Sequence, residues 1–489
     1  MHASARRRAA FAAALLAASP VVAVPVVAVP VVAVPVVAVP VVAVPVVAVP
    51  VVAVLVAAVL AIGLPVAARA AEGPAGDGGA ATAAAGALTP GGRMAALAAR
   101  LEPGGPGLPV DRRHGLLPGL LAALDIPLSS QALVFSKTSF QAHQIDPVHP
   151  RAVYFNDDSY VGWVPGSDVI EIASADGGSG AEFFTLESGG DGQPRLIRDV
   201  DRCGVCHVSQ HTAGVPGFVV RSVVATPAGR FVAGATSFVT DDSSPLERRW
   251  GGWYVTGAHG AMRHMGNATY PGHSFVEPFD LEAGANLMRL PAPVAAENYP
   301  VASSDIVALL VLEHQLRTHN ALARAAVDAA AAARLDAEPA SAGGAPDDAA
   351  RRRFERSGDE VVRCLLMADA ISFASPVRGT SGFAAEFAAR GPHDARGRSL
   401  RQLDLDRRLF AYRLSHLVHG GQFARLPVAV KRHVGGRLHA IFCAEREVVG
   451  FGHIGRDERE AIAAILAATE PDFWWTFVVP PPIGPPPAG

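Results

Sequence analysis

The chain is poor in cysteine, in net charge and in the common signatures of catalysis. Four cysteines in 489 residues (Cys203, Cys206, Cys364 and Cys443) exclude a small disulfide-dense scaffold. Lysine and arginine number 42 against 45 aspartates and glutamates, a net charge of -3. Without a basic stripe a nucleic acid finds no electrostatic footprint, and no nucleic-acid partner is expected. There is no His-Glu-x-x-His zinc pair. No serine stands in a nucleophile elbow, so no hydrolase is expected. The glycines of GGWYVTGAHG (Gly251 to Gly260) lack the spacing and following helix of a nucleotide-binding fingerprint.

What the chain does have begins at its start. MHASARRRAAFAAALLAAS sets a positive stretch before an apolar one. PVVAV then repeats seven times from Pro20 to Val54, and VLVAAVLAIGLPVAARA ends on Ala68-Arg69-Ala70, small residues that suit signal-peptidase cleavage. Residues 1–70 read as an expanded signal peptide. Proline at every fifth position opposes a regular spanning helix, because each ring removes a backbone hydrogen bond. Export places the mature chain in the periplasm or another oxidising compartment. An uncleaved N-terminus would instead hold the chain at a membrane.

Residues 71–105 are a Gly-, Ala- and Pro-rich linker with a short helical patch at Arg93–Leu101. Residues 106–290 read as β-rich. LVFSK, RAVYFN, SYVGWV, DVIEIASA and AEFFTLE are β-branched and aromatic runs separated by the turn signals DPVHP, NDD, PGSD and DGGSG. They predict an antiparallel meander running straight into Cys203, continued by GFVVRSVVA, GRFVAGATSFV and RWGGWYVTG. Residues 291–475 have helical periodicity, with Ser304 or Asp305 as the first cap. Further helices are expected at Arg353–Ala370, Leu403–His419 and Asp457–Glu470, and a low-complexity loop near 335–350. Residues 476–489 form a Pro-rich tail. The fold class expected is α+β: a β-rich first half followed by a mainly α-helical second half.

Chemistry concentrates in RCGVCHVSQHTAGVPG, Arg202 to Gly217. Cys203 and Cys206, three apart, share one face of a helical turn. Two thiols so placed reach two vinyl groups on one haem edge, and His207 follows as an axial ligand. Zinc would need a second ligand pair, which is missing. A thioredoxin-like dithiol would need a following helix, which HTAGVPG breaks. A structural disulfide is the remaining alternative.

Arg202–His207 resembles the attachment motif of c-type cytochromes. Together with FSKTSF, RAVYFNDDSYVGWVPG, RWGGWYVTGAHG and RHMGN, the stretch from about Leu133 to Trp475 resembles bacterial proteins described only as cytochrome c domain-containing. The resemblance implies one covalent haem c per chain, bound through Cys203 and Cys206 with His207 on the iron. It carries no particular reaction. A meander leading into a haem motif is also similar in architecture to the β-sheet cytochromes of the c-prime-beta kind.

A second axial ligand would come from His211, His259, Met262, His264, Met265 or His273. Met265, in the Gly- and Pro-punctuated loop ARHMGNATYPGH, is the one selected, since methionine suits electron transfer. Arg221, Arg248 and Arg249 could pair with haem propionates, and Trp250, Trp253 and Tyr254 line either the haem or the core, core being the preferred reading. His314 and His319, five apart on a helix, diverge too far for a shared ligand face. His416 and His419 are a weaker metal pair, and Cys364 and Cys443 a disulfide that only geometry could decide. The function expected is an exported monohaem c-type cytochrome-like protein in electron transfer, with a redox partner protein. The alternatives are a peroxidase-like haem oxidoreductase with an open distal face, or a non-catalytic haem sensor.

Overall fold

The alternating runs between Ala132 and Arg198 build one six-stranded sheet: β1 (Ala132–Val134), β2 (Arg151–Phe155), β3 (Ser159–Trp163), β4 (Val169–Ser174), β5 (Glu182–Ser188) and β6 (Pro194–Arg198). Each strand pairs antiparallel with its sequence neighbour, in the order β1-β2-β3-β4-β5-β6. This computed structural model describes residues 92–479 apart from 176–179, 190–191, 200, 273, 277, 338–347 and 445. The signal peptide expected at 1–70, most of the linker, the centre of the low-complexity loop and the end of the tail lie outside the described residues.

Period-two alternation gives the sheet two different faces. Tyr154, Val161, Trp163, Ile172, Phe184 and Leu186 point one way and bury against α1 (Gly92–Leu101) and α2 (Leu117–Ala123), where Met94, Leu97, Leu117 and Leu120 meet them. Phe155, Tyr160 and Phe183 point the other way, toward α4. The register pairs Val153 with Gly162, Gly162 with Glu171 and Tyr160 with Ala173, and Ala173 with Phe183. Val153, Gly162 and Ala173 thus share this second face with Arg151 and Glu171, whose paired side chains lie beside Gly162.

A short α3 (Asp201–His207) follows the sheet, then a hairpin of β7 (Val220–Val223) and β8 (Ser237–Thr240). The helical half begins with α4 (Ile306–Ala337). Asp305 is its cap: its Oδ1 accepts from the Val307 amide at 2.8 Å, and its Oδ2 accepts from the Thr380 and Ser381 amides at 2.9 and 2.7 Å. Then come α5 (Asp348–Leu365), α6 (Phe383–Ala389), α7 (Gly421–Ala424), α8 (Val428–Phe442) and α9 (Arg456–Thr469). Val361, Leu365, Val434, Leu438, Ile462 and Phe473 form their core. The architecture is α+β, with the sheet in the first half and the long helices in the second.

Two local expectations are corrected, and one strand was not expected. PRLIR forms β6, unread from sequence because it opens on proline and is largely exposed. RWGGWYVTG forms no continuous strand: Trp250 and Gly252 have φ of 64° and 82°, which turns the backbone, and Trp253, Thr256 and Ala258 then make only single bridges to Val134, Asp305 and Arg378. Leu403–His419 is not an α-helix but turns ending in a 3-10 helix at His416–His419. The Asp404 carboxylate accepts from the Asp406 and Arg407 amides, both at 3.0 Å, and this local bonding competes with helix. Conversely α8 was not anticipated, since Gly435-Gly436 interrupts its pattern. Gly435 is there because the chain passes close: a Cβ would lie 2.4 Å from the Phe477 carbonyl. Among the described residues, no helix is long and apolar enough to cross a membrane.

Candidate functional site

α3 carries the two thiols and the histidine, and its start is fixed by a side chain. The Asp199 carboxylate accepts from the Arg202 amide at 2.9 Å and the Cys203 amide at 3.4 Å, and pairs with the Arg202 guanidinium. Its end is fixed too. Ser209 caps the next turn in a reciprocal box with Thr212, and Ala213 and Gly214 take left-handed φ of 55° and 74°. The chain reverses, and Val208 bridges Pro216.

That reversal brings Gly217 back to His207. The Gly217 amide donates to the His207 carbonyl at 2.9 Å, and His207 Nδ1 donates to the Gly217 carbonyl at 2.8 Å. With the proton on Nδ1, Nε2 keeps its lone pair, and among the described residues it has no hydrogen-bond partner. This is the tautomer and anchoring found in metal-ligating histidines. The ring packs on Phe183, centroids 4.7 Å apart. Burial holds its pKa below the ordinary value, so the imidazole is neutral at pH 7. Asn320 of α4 locks the reversal: its Oδ1 accepts from the Phe218 amide and its Nδ2 donates to the Phe218 carbonyl, both at 2.8 Å.

Cys203, Cys206 and His207 all line one cavity of about 450 Å³, within the range of roughly 300–1,000 Å³ that holds organic ligands. Val153, Gly162 and Ala173 of the sheet form part of its wall, and Trp253, Leu312 and Leu316 another. Lys137, Arg151, Arg202 and Arg221 stand among the lining residues. Arg151 is neutralised by Glu171 at 2.5 Å, whereas Arg221 lies over the Phe231 ring at 5.7 Å. Cys203 is half-buried and Cys206 exposed; both are free thiols. Burial pushes the Cys203 thiol up to about 12, so it is protonated and rests as a thiol.

The other expected residues are elsewhere. Met265 is not at the cavity. It is buried with Val224, Val232 and Tyr270, and its sulfur accepts from Ser222 Oγ at 3.6 Å. An apolar side chain in that loop found a core of its own. His259 and His264 are buried against each other, centroids 4.6 Å apart, and bond to backbone groups. Met262 sits in the central core, His211 lines a different cleft, and His273 lies outside the described residues. Arg249 is buried in an ion pair with Glu313 at 2.9 Å, and Arg248 covers Phe238. Trp250 is core, while Trp253 reaches the cavity and donates to the Arg221 carbonyl at 2.8 Å.

His314 and His319 do diverge. His314 bridges Asp242 at 2.7 Å and Ser415 at 2.8 Å, deep in the interior. Among the described residues, no group of three or more His, Cys, Asp or Glu side chains is arranged to hold a metal ion. His416 and His419 thus gain no third ligand, and Cys364 and Cys443 are unpaired. Sequence reasoning missed Asn320 and Gly217. Only the spacing of HTAGVPG, which demands a turn, hinted at the second. No protein-family model, no curated protein and no solved structure matches this chain.

Proposed function

We propose that this chain is an exported c-type haem protein working in electron transfer. One haem would be bound by thioether bonds to Cys203 and Cys206, with His207 Nε2 on the iron. The observation that carries the reading is the joint placement of both thiols and a histidine of fixed tautomer on one turn beside one cavity. The residues present fit the group. The Val153, Phe183, Trp253, Leu312 and Leu316 side chains suit a flat macrocycle, and Arg221 suits a propionate. The haem would supply the one-electron chemistry; the protein supplies attachment, orientation and the exclusion of water.

A second reading has a specific observation behind it. Among the described residues, the cavity lining contains no histidine other than His207 and no methionine. A haem there would keep one iron face open, as in a peroxidase-like oxidoreductase or a ligand-sensing haem protein.

The test is an absorption spectrum of the mature protein made in a host with haem-attachment machinery, followed by acid-acetone extraction. Haem retained after extraction supports the proposal; complete extraction overturns it and returns the thiols to a redox or structural role. Carbon monoxide added to the reduced protein separates the two readings. An unchanged spectrum means a closed electron-transfer site, and a shifted one an open face.

A further inference from the structure

His319 lies one ring beyond the cavity wall. Tyr160 and Phe218 line the cavity, and the His319 ring sits 6.0 Å from Tyr160 and 5.7 Å from Phe218, centroid to centroid. Its hydrogen bonds are unusual. Nε2 is 2.8 Å from the Asp157 carbonyl and Nδ1 is 2.6 Å from Gln422 Oε1. The Gln422 amide is oriented by its own donor, which reaches the His319 carbonyl at 3.3 Å. Both ring nitrogens therefore face acceptors. A neutral imidazole has one N–H and satisfies one of them; an imidazolium satisfies both.

The surroundings oppose and favour that second proton at once. His319 is only 2% exposed, and burial holds its pKa below the ordinary value, while Asp157, Asp158 and the Gln422 oxygen pull it back up. Asp157 is paired with Arg401. From the 3-10 turn, His416 faces the cluster with neither ring nitrogen hydrogen-bonded, its Nε2 3.6 Å from Asp157. His419 is held down to about 4 by burial. Tyr160 stays protonated, since burial and both aspartates raise its pKa. Of these groups, His319 alone has both ring nitrogens already aimed at acceptors, and the half-buried Asp157-Asp158 turn connects it to solvent.

We propose that His319 is a redox-linked proton site, taking up one proton from solvent when one electron enters the haem proposed for the neighbouring cavity. The inference rests on the haem reading. One electron from a one-electron donor protein converts ferric to ferrous iron, and one proton from water converts the His319 imidazole to imidazolium. No other bond is made or broken, and the buried region keeps its net charge. Adding the electron across one layer of rings should raise the proton affinity of His319 by about tenfold.

The experiment is spectroelectrochemical titration of the haem-loaded protein between pH 5 and 8, for the native chain and for His319→Gln. The native midpoint potential should fall with rising pH, and the variant should lose most of that slope. Should His319→Gln fail to fold, imidazole nitrogen NMR of the native holoprotein gives the same answer, with the His319 pKa higher in the ferrous than in the ferric form. A pH-independent native potential, an unchanged slope in the variant, or equal His319 pKa values in both oxidation states would overturn the proposal. None of these touches the haem reading, which fails separately if no haem survives acid-acetone extraction.

Discussion

His207 and Gly217 hold each other twice, once through the backbone at 2.9 Å and once through the imidazole at 2.8 Å. The position at 217 cannot carry a side chain without loss, because a Cβ there would lie 2.4 Å from Asn320 Oδ1. Gly217→Ala should push Asn320 off the Phe218 backbone, release the carbonyl that orients His207, and cost about 1–3 kcal/mol as an overpacking change. Urea unfolding measures the cost. The absorption spectrum of the haem-loaded variant should show weakened histidine ligation. A spectrum and midpoint identical to the native protein's would mean that the pair does not position the ring.

Met265 lies in its own small core, so its replacement should separate stability from spectrum. Met265→Ala should destabilise the fold by about 2–5 kcal/mol. Met265→Leu should cost less than about 1.5 kcal/mol. Neither should alter the visible bands of the loaded protein. A changed band in the leucine variant, read by absorption spectroscopy, would put this sulfur back at the iron.

Acid should weaken the fold through its buried histidines. Burial lowers His419 from the ordinary 6.5 to about 4 and His264 from 6.5 to about 3. The unfolded chain takes up these protons first. Stability is therefore complete above pH 6.5 and declines as the pH drops toward 4 and then 3. His419 alone accounts for a loss of about 3 kcal/mol by pH 4. Urea midpoints at half-unit intervals from pH 8 to 4 should fall below 6.5; a flat profile would contradict the burial of these rings.

Arg249 and Glu313 are both buried and 2.9 Å apart, joining the loop before Trp250 to α4. Arg249→Met should cost about 3–5 kcal/mol, because a buried carboxylate loses its partner. Removing the carboxylate as well, in Arg249→Met with Glu313→Leu, should recover much of that loss. Thermal unfolding of the native protein, Arg249→Met, Glu313→Leu and the double variant forms the test, and strict additivity of the two changes would show that the pair does not interact.

The meander was legible because alternation is a local signal: RAVYFN, SYVGWV, DVIEIASA and AEFFTLE each became a strand in the expected order. The thiol-bearing turn was equally local, since Cys203, Cys206 and His207 fix their own spacing on Asp201–His207. What escaped was set by distant partners. Nothing near Met265 in sequence announces Val224 or Val232, and Asn320 meets Phe218 across 102 positions. RWGGWYVTG has strand composition, yet Trp250 and Gly252 adopt positive φ to reach a core built by other segments. The helix expected at Leu403–His419 failed for the opposite reason, a local one: Asp404 bonds its own backbone neighbours.

The neighbour-to-neighbour order of the sheet also bears on assembly. Every strand pairs with the one just made, so short loops close first and little chain entropy is spent. The sheet and its thiol-bearing turn can thus mature as a unit before α4 exists to supply Asn320. Without α4 the cavity beside Cys203 and Cys206 lacks its Leu312 and Leu316 wall. In chain order α4 follows the sheet and the thiol-bearing turn, so the side chain that locks the reversal is supplied from more than a hundred positions downstream of it.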